Sequence, residues 1–226
     1  MFVEKSMTRK VITVTPDTSV LEARDLILER RIRHLPVVDE DNTLVGIVTD
    51  RDIRSALPSP LLPDPEMAKE RERVARLSVK DIMTRDPVAI SPANTLEDAL
   101  LLMQKMRVGA FPVVDRKKKL KGILSTRDVL RAFINVLGLE EPGTLLGILV
   151  EDKLGQMKKI VDAISEERIS FGSILVARHW EEGKRAVFPY LLTNNVTAVK
   201  KKLEQLGFTL LDPMQWHLDQ LPKSDE

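Results

Sequence analysis

Cysteine is missing from all 226 positions, which excludes disulfides, thiolate nucleophiles and Cys-ligated metals. Histidine occurs only at His34, His179 and His217, without ligand spacing, and there is no Walker-type loop or nucleophile elbow. Aromatic residues make up 4% of the chain, too few for a base-stacking platform. Charge of one sign is lacking too. Lys plus Arg number 35 against 34 Asp plus Glu, a net of +1, whereas a dedicated nucleic-acid binder usually carries a marked basic excess. No stretch reaches the roughly 18 consecutive apolar residues of a membrane span, and Met1-Phe2-Val3-Glu4-Lys5 does not open a secretory signal. The expectation is a cytoplasmic, non-catalytic protein with no membrane partner and no direct contact with nucleic acid.

What the sequence does contain is a duplication. Met7-Thr8-Arg9 returns 76 positions later as Met83-Thr84-Arg85, and Pro36-Val37-Val38-Asp39 as Pro112-Val113-Val114-Asp115. Gly46-Ile47 with Arg51-Asp52 returns as Gly122-Ile123 with Arg127-Asp128. A duplicated unit of this size predicts two similar folds packed face to face around a pseudo-symmetric cleft.

Each copy reads β-α-β-β-α. Val11–Val14 and Val88–Ile90 are short β-rich runs closed by Pro16 and Pro92. Helices follow, with apolar stripes at Val20, Ala23, Leu26 and Ile27 and at Leu96, Ala99, Leu100 and Met103, capped by Ser19 and Thr95. Leu35–Val38 with Leu44–Val48, and Phe111–Val114 with Leu120–Leu124, read as strand pairs, and closing helices begin near Asp50 and Thr126. The turns between the strands have opposite sign, Glu40-Asp41-Asn42 against Arg116–Lys119. Solvated turns account for both, and opposed charge also permits contact between two modules of a dimer. Pro58 to Pro65 reads as a stiff extended connector, followed by a surface helix over 66–77.

A second boundary falls at Gly138–Gly143, beyond which the order becomes β-α-β-β-α-β, that of a ferredoxin-like sheet. Its strands are expected at Leu145–Val150, Phe171–Ala177, Ala186–Leu192 and Phe208–Leu211. Its helical stripes are Met157, Ile160, Val161 and Ile164, then Val196, Val199, Leu203 and Leu206. The fold class is thus α+β. The expected boundaries are 1–57 and 78–137 for the repeats, 58–77 for connector and helix, 143–214 for the last domain and 215–226 for a tail.

Two matched turns carry the chemistry: Gly46-Ile47-Val48-Thr49-Asp50-Arg51-Asp52 and Gly122-Ile123-Leu124-Ser125-Thr126-Arg127-Asp128. In each, a strand ends and a helix begins, with a hydroxyl three residues before an aspartate. One reading is a capping box, the aspartate favouring the positive end of the helix. The other uses the same geometry for a ligand. Free N–H groups and an arginine meet phosphate, and a carboxylate accepts both hydroxyls of a ribose. On that reading Asp52 holds ribose while Thr49 and Arg51 hold phosphate.

With these motifs, residues 1–137 resemble a tandem pair of cystathionine-β-synthase (CBS) domains, a Bateman module. The resemblance implies a regulatory, non-catalytic protein that binds an adenosine-containing small molecule, AMP, ADP, ATP or S-adenosylmethionine, between its repeats. Carried over by position, one site takes Asp52, Thr49, Arg51, Arg33 and His34 with Thr84 and Val88. The other takes Asp128, Ser125 and Arg127 with Thr8 and Ile12. Arg33-His34 becomes Gly109-Ala110 in the second copy, so the Asp52 site is expected to bind the more highly charged ligand and the Asp128 site to bind weaker or not at all.

The segment 143–214 resembles an ACT domain through its element order and through Val150-Glu151-Asp152-Lys153-Leu154-Gly155, where Leu154 replaces the usual proline. Gly155 either makes the turn or admits a ligand, which for such domains is an amino acid. A CBS pair followed by an ACT domain is similar to the acetoin-utilisation B family, and both modules imply a homodimer. The alternative to a nucleotide sensor is a structural dimerisation scaffold with empty sites.

Overall fold

The computed structural model describes residues 1–59, 61 and 63–211, so the tail expected over 215–226 and the end of the 143–214 domain lie outside the described residues. A single helical turn, α1 (Val3–Ser6), precedes α2 (Val20–Glu29), which begins where the Ser19 hydroxyl accepts the Glu22 N–H. Then come β1 (His34–Val38), β2 (Leu44–Thr49) and α3 (Asp50–Ala56). Helix α4 (Asp64–Ala75) takes Asp64-Pro65 into its first turn, two residues earlier than the composition predicts. Proline is tolerated there because the first N–H groups of a helix have no internal acceptor. The second copy follows with a short 3-10 turn at Val79–Asp81, β3 (Thr84–Arg85), α5 (Leu96–Met106), β4 (Ala110–Val114), β5 (Leu120–Ser125) and α6 (Thr126–Leu137).

Each repeat centres on an antiparallel pair, β1 with β2 and β4 with β5. Leu35, Val37 and Val48 are fully buried against Val20, Ala23 and Ile27 of α2, the stripe that the helical spacing predicts. In α5 the stripe is narrower than expected. Leu96, Ala99 and Met103 are buried while Leu100 is 43% exposed. The runs at Val11–Val14 and Val88–Ile90 do not become strands. Each makes one parallel bridge, Val14 to Val37 and Ile90 to Val113. Pro36 and Pro112 beside those bridges have no N–H to extend a ladder.

Each strand pair is extended by the segment that opens the other repeat, by a third strand in the first copy and by a single bridge in the second. β3, which opens the second copy, pairs with β2 of the first through Thr84 opposite Ile47. Thr8, near the start of the first copy, pairs with Ile123 of β5, each accepting the other's N–H at 2.9 and 3.0 Å. Glycine permits both crossings. A Cβ on Gly122 would lie 2.6 Å from Met7 Sδ and 2.9 Å from the Thr8 carbonyl oxygen, and one on Gly46 would lie 2.5 Å from Met83 Sδ. The oppositely charged turns meet within the chain. Lys119 Nζ donates to the Asp41 carbonyl at 2.6 Å and to Thr43 Oγ1 at 3.0 Å.

The chain divides into two compact units, Met1–Arg131 and Ala132–Glu226. In the second, β6 (Thr144–Leu145), β7 (Gly147–Glu151), α7 (Gln156–Glu166), β8 (Phe171–Glu181), β9 (Lys184–Leu191), α8 (Thr197–Gln205) and β10 (Thr209–Leu211) build an antiparallel sheet. Its strand order is β10-β7-β9-β6, with β8 also on β9. The single strand expected at Leu145–Val150 is thus broken at Leu146. Ile148, Ile160, Ile164, Val199 and Leu203 form the fully buried core, while Met157 and Leu206 of the expected stripes are exposed.

Candidate functional site

The end of β2 fixes Asp52. Thr49 caps α3 by accepting the Asp52 N–H at 3.3 Å. In return Asp52 Oδ2 accepts the Thr49 N–H at 2.8 Å and its hydroxyl at 2.7 Å. The capping reading of the turn therefore holds, but it uses one carboxylate oxygen. Among the described residues Oδ1 of Asp52 has no hydrogen-bond partner, and Asp52 lines a cavity of about 730 Å³.

The structure brings Asp52, Thr49, Arg51, Arg33, His34, Thr84 and Val88 to the wall of that one cavity. The opposite wall comes from the second repeat: Arg107, Gly109, Ala110, Phe111 and Pro112 among others. Gly109 and Ala110, which the sequence reading treats as losses from the other site, here leave room. A Cβ on Gly109 would already lie 3.4 Å from the His34 ring. Arg54, Arg107 and Asp86 also line the cavity and were not anticipated. Arg107 stands in the left-handed region at φ 54°, as does Arg31 at φ 51°, its equivalent 76 positions earlier. That repeated arginine was the available signal.

The charge around the cavity is unbalanced. Arg54 pairs with Asp50 at 2.8 Å and Asp86 with Lys118 at 3.8 Å. Arg33, Arg51 and Arg107 have no carboxylate partner among the described residues. Burial and then the Arg33 charge hold the His34 imidazole below its usual pKa, with Asp52 partly opposing them. Three unpaired guanidinium groups, a neutral imidazole and one open carboxylate oxygen suit a ligand with a diol at one end and several negative charges at the other.

The second set is arranged otherwise. Asp128 is 5% exposed. Its Oδ2 accepts the Ser125 N–H at 2.8 Å and hydroxyl at 2.6 Å, as in the first copy. Its Oδ1 is taken: Thr8 Oγ1 donates at 3.2 Å and Arg131 Nη2 at 2.6 Å. Asp128, Ser125, Arg127, Thr8 and Ile12 are absent from the wall of the Asp52 cavity, and Ile12 packs on the first repeat's core.

In the second unit, Gly155 has φ 88° and no atom within 4 Å of a built Cβ, the conformation of a turn that starts α7. An open depression of about 390 Å³ lies at the β8–β9 hairpin, lined by Asp152 and residues 178–184. Among the described residues no group of three His, Asp or Glu could hold a metal ion, and no helix is long and apolar enough to cross a membrane.

Comparison with known proteins agrees with the duplication. Residues 3–59 and 79–135 each match the CBS domain family. A CBS domain-containing protein of Dictyostelium discoideum is 38% identical over 138 residues, covering 61% of this chain and 94% of its own. Two further curated relatives are longer, and the match spans 31% and 58% of their length. The crystal structure of CBSX2 from Arabidopsis thaliana in complex with AMP matches with TM-score 0.51 and 34% identity, over 60% of this chain and 97% of that one. A Vibrio cholerae protein assigned to acetoin utilization (AcuB) matches with TM-score 0.52 and 29% identity, over 63% and 98%.

Proposed function

The chain belongs to the CBS domain family, and on that premise we propose that it is a non-catalytic regulatory protein whose Asp52 cavity senses an adenosine nucleotide with two or more phosphates. The observation that carries this reading is the open Oδ1 of Asp52 in the same cavity as three unpaired arginines. Ribose hydroxyls supply the donors that Oδ1 lacks. Phosphates supply the charge that Arg33, Arg51 and Arg107 lack, and like charges gathered without an anion repel one another. AMP in the related CBSX2 crystal supports the adenosine moiety. S-adenosylmethionine fits less well, because its sulfonium adds a positive charge to a positive wall. The rival reading, a scaffold whose turns only cap helices, describes Asp128 but leaves Asp52 Oδ1 and the three arginines unexplained.

Isothermal titration tests the ligand class. ADP and ATP are expected to bind about tenfold or more tighter than AMP, since a charge-assisted hydrogen bond contributes roughly 1.5–3 kcal/mol and about 1.4 kcal/mol is a factor of ten. S-adenosylmethionine is expected to be weakest. Equal affinities for ATP and S-adenosylmethionine would overturn the charge argument.

Proton linkage gives a second expectation. His34 has a folded pKa below 6.5, so as pH falls through and below 6.5 the unfolded chain takes up the proton first and the folded state loses stability. A bound polyphosphate reverses the bias on the imidazole and raises its pKa. Nucleotide affinity should therefore increase as pH falls from about 8 to about 6.5, by at most about tenfold per unit for one proton. His34→Asn should flatten that slope; a wild-type slope surviving the substitution assigns the proton elsewhere.

The second unit is read as an ACT-type domain. Its pairings, β10 with β7, β7 with β9 and β9 with β8, with two helices inserted, support that. Gly155 is assigned to the turn, and no amino-acid ligand is assigned to it. Nucleotide occupancy is relayed along the chain through Gly138–Gly143, and the functional form is a homodimer.

A further inference from the structure

The two repeats set their aspartates in the same capping geometry, yet one difference on the following helix turn reaches the carboxylate. Arg131 stands 76 residues after Ser55. Its Nη2 lies 2.6 Å from Asp128 Oδ1, the oxygen whose counterpart on Asp52 has no partner among the described residues. Thr8 donates to that oxygen as well, whereas its equivalent Thr84 lines the Asp52 cavity without reaching the carboxylate.

An ion pair three residues apart on a helix is ordinarily exposed on both sides and contributes little. Here the partners are unlike. The Asp128 side chain is 6% exposed and that of Arg131 is 58% exposed. The arginine reaches in from the surface to cover a carboxylate that water scarcely touches. A serine, as at position 55, is too short to do so.

We propose that Arg131 is an internal occupant of the second site: its guanidinium fills the hydrogen-bonding place of a ribose hydroxyl on Asp128 and so limits the chain to one nucleotide. This rests on the reading of Asp52 as a ribose acceptor. With Arg131 removed, Asp128 Oδ1 keeps only the Thr8 hydroxyl, and a vicinal diol supplies the missing donor. Gly109-Ala110, the counterparts of Arg33-His34, line the Asp52 cavity and give the Asp128 site no cation, so the opened site favours a ligand with fewer phosphates.

The full chain and Arg131→Ser are titrated calorimetrically with ADP and, in parallel, AMP, with melting curves for each protein. The wild type is expected to bind one nucleotide, weakened about ten- to a hundredfold in Asp52→Ala. Arg131→Ser is expected to bind two, the added AMP binding lost when Asp128→Asn is combined with it, while affinity at the first site stays within about twofold. Should Arg131→Ser fail to fold, Arg131→Gln carries the same expectation, since its amide is neutral and shorter. A stoichiometry of one in a folded variant with both nucleotides overturns the proposal, as does a wild type that already binds two and loses one in Asp128→Asn. If the wild type binds none but Arg131→Ser gains one that depends on Asp128, the Asp52 reading fails and the role of Arg131 stands. If neither protein binds, both fall.

Discussion

Asp52→Ala is expected to raise the dissociation constant for ADP about ten- to a hundredfold while lowering stability only modestly. The side chain has two separate jobs. Oδ2 closes the capping box with Thr49, and losing a cap costs about 0.5–2 kcal/mol. Oδ1 is open in the cavity, and a hydrogen bond to a charged acceptor contributes roughly 1.5–3 kcal/mol. With about 1.4 kcal/mol per factor of ten, the binding loss follows. Asp128→Ala should do the reverse. It removes a nearly buried carboxylate that accepts from Ser125, Thr8 and Arg131, so melting falls while nucleotide binding at the first site persists. Titration calorimetry and thermal melts on the two variants separate these effects. An Asp52→Ala protein that binds ADP like the wild type would remove the ligand assignment altogether.

Removing residues 1–9 is expected to destabilise the first unit by about 3–6 kcal/mol. Val3 is 0% exposed and Met7 7%, and fully burying such side chains is worth roughly 1.5–3 kcal/mol each. The deletion also leaves Asn94 and Ile123 without backbone partners, since the Val3 N–H donates to Asn94 at 2.8 Å and Thr8 pairs with Ile123 on both sides. A domain has only about 5–15 kcal/mol in total, so the loss should move the urea midpoint far down. The damage begins in the second repeat, although the deleted residues open the first. A truncated chain with an unchanged midpoint would show that the crossing segment is not integral to the fold.

The duplication was legible because both copies keep their turn and strand residues at one spacing. For the same reason the residues around Asp52 could be named, since Thr49, Arg51 and Asp52 follow one strand end. What could not be read is set by contacts distant in sequence. The apolar runs at Val11–Val14 and Val88–Ile90 have strand composition, but Pro36 and Pro112 opposite them cannot donate, so only single bridges form. Leu100 fits the helical period yet faces solvent, because period alone does not set how wide a stripe the neighbouring strands cover. Gly109 and Ala110 were assigned to the Asp128 site by position, whereas packing of the repeats turns them toward Asp52. Arg107 could not be placed from sequence because an arginine at a helix end usually faces solvent, and its equivalent Arg31, also at positive φ, does not line the cavity.

The crossing of Thr8 onto β5 and of β3 onto β2 bears on how such a chain can arise. A molecule carrying one copy alone would expose the flank of its strand pair and would have to borrow the missing strand from a second molecule. Joining two copies end to end turns that loan between neighbours into an internal brace. The halves are then free to diverge in sequence, as Ser55 and Arg131 have, without losing each other.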